Sequence, residues 1–447
     1  MRRTALPLLL LLAPATALAQ LPTPAARGLG QGAYTISARG YDAPAWNPAV
    51  LAMRGAPGLT IGLPQGQLEF GSNTYSFGDF RKYAGKTLST QDKQDLLARI
   101  DTSLGLRTIV GASPIGLSIG RFAVSIGTAG DVDGFLGKDA VELALFGNAA
   151  RSGPGQYFTA AGSRGSGWAA TTLAGSFAWP FRLPLGRLAV GATVKKVWGH
   201  GLGRAGELSS NFQVNPAFQV QAAGHAIYTN YPDNYQVNGL GVILGGLGTP
   251  GSGYGVDVGG VLELPGGLTV GATLVNAIAS MSWDAGRLKY ERATYLVQQS
   301  ASGGAPFDTT TDSILVGAQI DADPVARAFR DSLLARSNFS RVLRAGASLH
   351  LGGLLLAADG QLRLSQGLDR QPSQFVAAGA EYVVLGFLPL RAGIGTDFAK
   401  SVTLSGGTGL YLGPFHLDLG VSNRTGSTDP GLRVAAGLGL VFGGRRN

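Results

Sequence analysis

The chain has 447 residues, 70 of them glycine, with no cysteine and only 14% charged residues, against roughly 25% in ordinary soluble proteins. The absence of cysteine excludes a disulfide-stapled exported scaffold and thiol chemistry. The formal charge of +9 comes with no Lys/Arg run and no aromatic RNA-binding signature, so no nucleic-acid partner is expected.

The first twenty residues, MRRTALPLLLLLAPATALAQ, place two arginines before a leucine run and then small residues. That order is a secretory leader, expected at 1–19 with cleavage after Ala19. The apolar run is shorter than the ~20 residues of a spanning helix. Arg2 and Arg3 leave with it, lowering +9 to +7. Such an exported, glycine-rich, charge-poor chain fits a transmembrane β-barrel.

Residues 20–55 carry no strand period and contain GYDAPAWNPAVLAMRG at 40–55. Asn47 precedes a proline and is biased away from helix, so a turn is expected there, followed by a short helical turn through Val50–Met53. The lumen of a wide barrel left empty would be a pore. Residues 20–55 are therefore expected as a hatch or plug inside a barrel spanning 56–447. Trp46, Val50, Leu51 and Met53 would bury, Asn47 would hydrogen-bond the wall, and Trp46, Asn47, Pro48 and Ala49 form its candidate site.

Two inserts read as helices. In TLSTQDKQDLLARID, Ser89 and Asp92 have capping-box spacing and Leu96, Leu97 and Ile100 form a stripe. Asp323-Pro324 gives an N-cap followed by Pro at the first helical position, with Val325, Phe329 and Leu333 on one face. Upstream strands are expected within 103–128, 156–179, 186–198 and 254–276. Trp168, Trp179, Phe181, Trp198, Phe387 and Tyr411 are expected at the membrane interfaces.

The C-terminal hundred residues alternate most cleanly. Leu343, Ala345, Ala347, Leu349 and Leu351 oppose Arg344, Gly346, Ser348 and His350, and Gly352-Gly353 turns the chain. The same pattern recurs in 354–365, 375–385, 388–396, 415–422 and 432–442, with charge confined to one side. The fold class is therefore all-β: a transmembrane antiparallel barrel of about 14 strands with an N-terminal plug and two short helical inserts. Arg344, His350, Asp359, Arg363, Glu381, Arg391, His416, Asp418 and Arg433 are expected to face the lumen. Their mixed signs suggest salt-bridged wall ladders gripping the plug, since unpaired charges there would be costly.

The stretch RGLGQGAYTISARGYDAPAWNPAVLAMRGAPGLTIGL at 27–63 resembles the start of the FadL-like family of outer-membrane proteins, with a Gly-Ala-Tyr stretch and then Asn47-Pro48-Ala49. GKTLSTQDKQDLLARID with GLSIGRFAVSIG is similar to an uncharacterised branch, a domain of unknown function. The resemblance implies a fourteen-stranded barrel with an internal hatch. It implies transport of hydrophobic compounds such as fatty acids or aromatic hydrocarbons, or alternatively a PorV-like, non-conducting anchor or shuttle for partner proteins. A Gram-negative-type outer membrane, its lipid, a hydrophobic small-molecule ligand and the barrel assembly machinery are the expected setting and partners. The chain departs from the usual aromatic terminus by ending Phe442-Gly443-Gly444-Arg445-Arg446-Asn447. No fatty-acid pocket residue maps onto it.

His200, His225, His350 and His416 stand in no Gly-x-Ser-x-Gly or His-Glu-x-x-His context. No enzyme, cofactor or metal is therefore expected. A lumen closed by mixed-sign ladders predicts small or no single-channel conductance in planar bilayers, and large porin-like steps would contradict it.

Overall fold

Alternation with a period of two commits a strand to one apolar and one polar face, and this chain resolves the polar faces by turning them all inward. The computed structural model describes residues 25–147, 157–213, 219–231, 248–298, 307–369, 372–398, 401–426 and 430–443. The expected leader lies outside them. Fourteen antiparallel strands form the closed barrel. They are β1 (Leu59–Ser72), β2 (Ser103–Ile119), β3 (Phe122–Gly137), β4 (Arg164–Leu183), β5 (Gly186–Gln213), β6 (Gly251–Glu263) and β7 (Leu268–Trp283). The second half comprises β8 (Val342–Leu351), β9 (Leu354–Arg363), β10 (Gln374–Val384), β11 (Leu388–Thr396), β12 (Ser401–Leu412), β13 (Phe415–Gly426) and β14 (Gly431–Phe442). Each pairs with the next in chain order, and β14 closes on β1 from Leu59↔Phe442 to Gly71↔Gly431.

The two ends differ. At one end the strands are joined by tight connections such as Gly120-Arg121, Gly352-Gly353 and Gly413-Pro414. At the other end lie the long segments, among them 73–102, 138–163 and 284–341. Gly120 and Gly352 have φ of 57° and 59°, a left-handed conformation that costs glycine little. The 103–128 stretch thus divides into β2 and the start of β3. β5 runs for 28 residues, far beyond the ~10 needed to span a membrane as a strand. Its far half pairs with Gln219–Thr229, which pairs in turn with Leu288–Gln298 and that with Phe307–Val316. These extra strands form a sheet standing off the long-loop end.

The outer face is apolar and exposed: Phe122 and Val124 on β3, Phe177 and Trp179 on β4, Leu404 on β12, Val421 on β13 and Val434 on β14. An apolar surface of this extent needs lipid around it. Trp179, Phe181 and Phe387 point outward near the tight-turn end, as interface aromatics do. Trp198 is half-buried. Trp168 and Tyr411 do not belong to a girdle. Trp168 is buried and donates from Nε1 to the Leu368 carbonyl at 2.9 Å, and the Tyr411 hydroxyl accepts from Arg391 Nη2. Both sit on the polar parity of their strands, where the ring's polar atom finds a partner that lipid would not supply.

Helices form where capping chemistry allows. Short helices α1 (Ala26–Gln31) and α2 (Ala43–Trp46) lie in the N-terminal segment, followed in the first long loop by α3 (Phe77–Tyr83) and α4 (Thr90–Ala98). In α4, Ser89 Oγ accepts from Asp92 N–H at 3.1 Å and the Asp92 carboxylate accepts from Ser89 N–H at 3.0 Å. Leu96, Leu97 and Ile100 pack with Tyr75 and Val141, the last from α5 (Lys138–Phe146). After α6 (Ala318–Ala322), Asp323 caps α7 (Pro324–Leu334), accepting from Val325 and Ala326 N–H at 2.8 and 2.9 Å. Phe329 and Leu333 join the apolar cluster over the barrel mouth, whereas Val325 is exposed.

The segment 25–53 lies inside the ring, and the wall glycines explain how it fits. Gly379 and Gly393 are cross-strand partners, as are Gly407 and Gly420. All four, on β10 to β13, lie against α1. A Cβ at Gly407 would stand 2.8 Å from Gly30 Cα, and one at Gly379 or Gly393 would overlap the Gln31 carbonyl. On the opposite wall the partners Gly191 and Gly259 lie against Pro48-Ala49 and Asn47. Gly62, Gly116 and Gly439, on the neighbouring strands β1, β2 and β14, make room for the Tyr41 ring. The next residue to one of these, Gly406, faces outward with nothing within 4 Å of an added Cβ. Gly407→Ala should therefore lower unfolding stability in detergent by about 1–3 kcal/mol, the usual cost of overpacking. Gly406→Ala should leave it unchanged, and equal effects in thermal melts would contradict this packing.

Candidate functional site

The N-terminal segment begins with α1, which ends at Gly32 with φ of 78°. The chain then turns back through Tyr34 and Thr35, whose backbone N–H groups both donate to Asp359 Oδ2 at 2.6 and 2.8 Å. Two N–H groups converging on one carboxylate fix the turn to β9 as charge-assisted bonds. A 3-10 turn at Gly40–Asp42 leads into α2.

Asn47 is extended (φ −153°) and caps the 3-10 helix Pro48–Ala52. Its Oδ1 accepts from Ala49 N–H at 3.0 Å and its Nδ2 donates to the Ala272 carbonyl of β7 at 3.3 Å. The Asn-Pro-Ala order is thus a helix start, with a side-chain cap and a proline where no N–H is needed, that also reaches the wall. Ala49, Val50, Leu51 and Met53 are buried with Ala178, Ala189 and Val261 of the wall. Trp46 is half-buried, edge-on to Tyr34 with centroids 5.3 Å apart, and Arg344 lies over its ring at 5.3 Å.

The inward charges fall into groups. Arg391 joins Glu381 at 2.5 Å and Asp418 at 2.7 Å, and Arg27 of α1 reaches Glu381 at 3.4 Å. His416 stacks on Tyr411 beside them at 3.9 Å. Arg344 donates from Nε to Gln361 at 3.1 Å and from Nη1 to the Ala45 carbonyl at 3.3 Å, close to Asp359. Arg433 donates from Nε to Glu69 of β1 at 2.8 Å. His350 and Arg363 lie toward the two ends of the wall. His350 is exposed at the tight-turn end of β8, and Arg363 is half-buried at the opposite end of β9.

Partners missed at the sequence level are Arg27, Glu69 and a third network. In that network Lys195 of β5 bonds Asp257 of β6 at 2.5 Å and Asn276 of β7 at 3.0 Å. Residues 275–277 of β7 bulge opposite Asp257, with Asn276 at φ 53°. Asn276 Nδ2 then donates to the Ser340 carbonyl at 2.8 Å, and Ser340 N–H donates to Asp369 at 2.5 Å. The wall is thereby tied to the loops over the mouth. The signal available was only the odd-numbered parity of Lys195 and Asp257, since a bulge has no sequence mark of its own.

Between the N-terminal segment and the mouth lies a cavity of about 180 Å³. A separate buried apolar cluster, with no residue in that lining, is formed by Trp168, Met281, Trp283, Tyr290, Leu333 and Phe339. Trp168 and Phe339 meet edge-on with centroids 5.6 Å apart. The barrel therefore holds the seated segment, a cavity against it, and an apolar cluster under the inserts of the long-loop end.

The family sequence profile described as "Family of unknown function (DUF5723)" matches residues 48–404. The chain belongs to this family. The match opens on Pro48 and runs through most of the barrel into β12. No protein of curated function matches the sequence significantly. Similar solved structures include the CymD monoaromatic hydrocarbon channel, at 12% identity and TM-score 0.44 over 97% of this chain and 99% of that one. A Pseudomonas aeruginosa FadL homologue is 11% identical with TM-score 0.46, over 94% of this chain and 98% of that one. The P. putida toluene transporter TodX is 11% identical with TM-score 0.40, over 90% and 94%.

Arg391→Leu would leave Glu381 and Asp418 buried without their shared counter-charge. It should cost about 3–5 kcal/mol in urea unfolding, as breaking a buried ion network does. Replacing Arg27, Glu381, Arg391 and Asp418 together with leucine should recover most of that loss. A second prediction concerns the mouth. Burial raises the Asp369 carboxyl to about 6, against the lowering effect of the Ser340 hydrogen bonds and Lys195. A raised folded value means this group's contribution is full below about 3.8 and is lost as pH rises through about 6. Proteolytic nicking around 335–341 should therefore slow between pH 7 and pH 5, and Asp369→Asn should remove that dependence.

Proposed function

We propose that the protein is an outer-membrane uptake barrel for hydrophobic small molecules, in which residues 20–55 are a hatch seated at rest. The long-loop end faces outward, as in barrels with short periplasmic turns and longer external loops. The observation that carries this reading is a cavity of about 180 Å³ lined by residues of the hatch itself, among them Leu29 and Trp46, together with the helical inserts burying an apolar cluster under α7 at the long-loop end. A hydrophobic solute gains by leaving water for such a cluster. The hatch is held at discrete points, Asp359 to Tyr34 and Thr35, Arg27 to Glu381 and Asn47 to Ala272. The hatch shifts as one body, α1 together with Trp46, Asn47, Pro48 and Ala49.

The second reading, a non-conducting PorV-like anchor or shuttle for partner proteins, draws support from the Glu381–Arg391–Asp418 ladder behind α1. A segment that never moves needs such a ladder only as structure.

The two readings separate on whether the hatch must move. The chain has no cysteine, so Arg27→Cys/Glu381→Cys can be joined selectively by a short bismaleimide. Cells expressing the uptake barrel should take up labelled oleate or toluene, and cross-linking should abolish that uptake while the unlinked pair retains it. Uptake unchanged by cross-linking, or never above that of cells lacking the protein, would refute the gated reading.

A further inference from the structure

The cavity above the N-terminal segment is not built for a purely apolar guest. Four guanidiniums line it, Arg107, Arg344, Arg424 and Arg433, with the carboxylates of Glu69 and Asp359. Asp131 pairs with Arg107 from the wall at 3.1 Å. The Asp359 carboxylate is already engaged by the Tyr34 and Thr35 N–H groups at 2.6 and 2.8 Å. Leu29, Ile109, Phe375 and Trp46 supply the apolar and aromatic part of the lining, alongside polar groups such as Gln67, Thr403 and Ser422.

One further atom points to an anionic ligand. Trp46 Nε1 is buried without a hydrogen-bond partner among the described residues, and Trp46 lines the cavity. A buried donor left unmatched costs about 1–3 kcal/mol, and an anionic oxygen would satisfy Trp46 Nε1. Arg344 is buried and lies 5.3 Å over the same indole ring. A cationic group and an unmatched donor therefore share one wall of the cavity. A cavity of roughly 150 Å³ accepts benzene. At about 180 Å³, this one has room for a single ring bearing a small substituent.

We propose that this cavity binds a small monocarboxylate with a ring-sized apolar body, of which benzoate is the simplest member. The carboxylate lies at Arg344 and Trp46 Nε1, and the ring lies against Leu29 and Phe375. The site holds its guest whether or not that guest then crosses the barrel, so occupancy and uptake fail separately.

The test is calorimetric titration of the purified full chain in mild detergent with benzoate, toluene and inorganic phosphate. Toluene keeps the ring without the charge, and phosphate keeps charge without the ring. Benzoate should bind one to one and about tenfold more tightly than either, the scale of one charge-assisted hydrogen bond. Arg344→Gln should weaken benzoate by about tenfold and leave toluene unchanged. Because Arg344 also holds the Ala45 carbonyl, Phe375→Ala serves as a second variant and should weaken benzoate and toluene alike. Benzoate no tighter than toluene and phosphate, or benzoate binding unchanged in both variants, would overturn the proposal.

Discussion

The structure depends on clearance. A main chain can lie against the inner wall of a barrel only where the wall presents no Cβ, and here the wall withholds it at cross-strand pairs facing the N-terminal segment. Gly379 with Gly393 and Gly407 with Gly420 receive α1, while Gly191 with Gly259 receives Asn47 to Ala49. Gly271 and Gly346, also partners, leave space for Ile36. Glycine weakens a strand through chain entropy and lost packing. The closed ring of hydrogen bonds and the segment packed against it offset that cost. The high glycine content of the sequence is in part the imprint of what the barrel contains.

Charge settles the position that clearance permits. Backbone contacts against glycine are non-directional and allow sliding. The carboxylate of Asp359, receiving two N–H groups, and the Arg27–Glu381 pair are directional and fix one register of the segment in the ring. Other inward charges pair across the wall, as Glu381, Arg391 and Asp418 do on β10, β11 and β13. Buried ion pairs of this kind add little net stability but penalise every arrangement that separates them. The Lys195–Asp257–Asn276 network does the same for the mouth, carrying the wall's geometry through Ser340 to Asp369.

Much of the barrel was legible because lipid outside and polar groups inside impose a strict period of two. From β8 onward, β12 excepted, the strands and their inward side follow from Leu343 against Arg344 and its successors. The Asn47-Pro48 helix start and the caps at Ser89 and Asp323 were legible because capping is local chemistry. What escaped was long-range. Glu69 reaches Arg433 only when β1 meets β14, and Arg27 meets Glu381 only once α1 is inside the ring. Trp168 and Tyr411 read as interface aromatics because an indole or phenol near a strand end looks alike on either face. The inward partners that distinguish them, Leu368 and Arg391, lie far away in the chain. Helices α3 and α5 were passed over because they carry no apolar stripe long enough to stand out from the loop around them.

The central claim is that residues 25–53 are a seated part of the barrel interior rather than a tail. Amide hydrogen exchange of the protein in lipid nanodiscs, read by mass spectrometry, tests it most directly. Peptides covering 25–53 should exchange as slowly as those from β10 to β13, with Tyr34 and Thr35 among the best protected. Exchange of 25–53 at the rate of an unstructured peptide, with the strands still protected, would contradict the account.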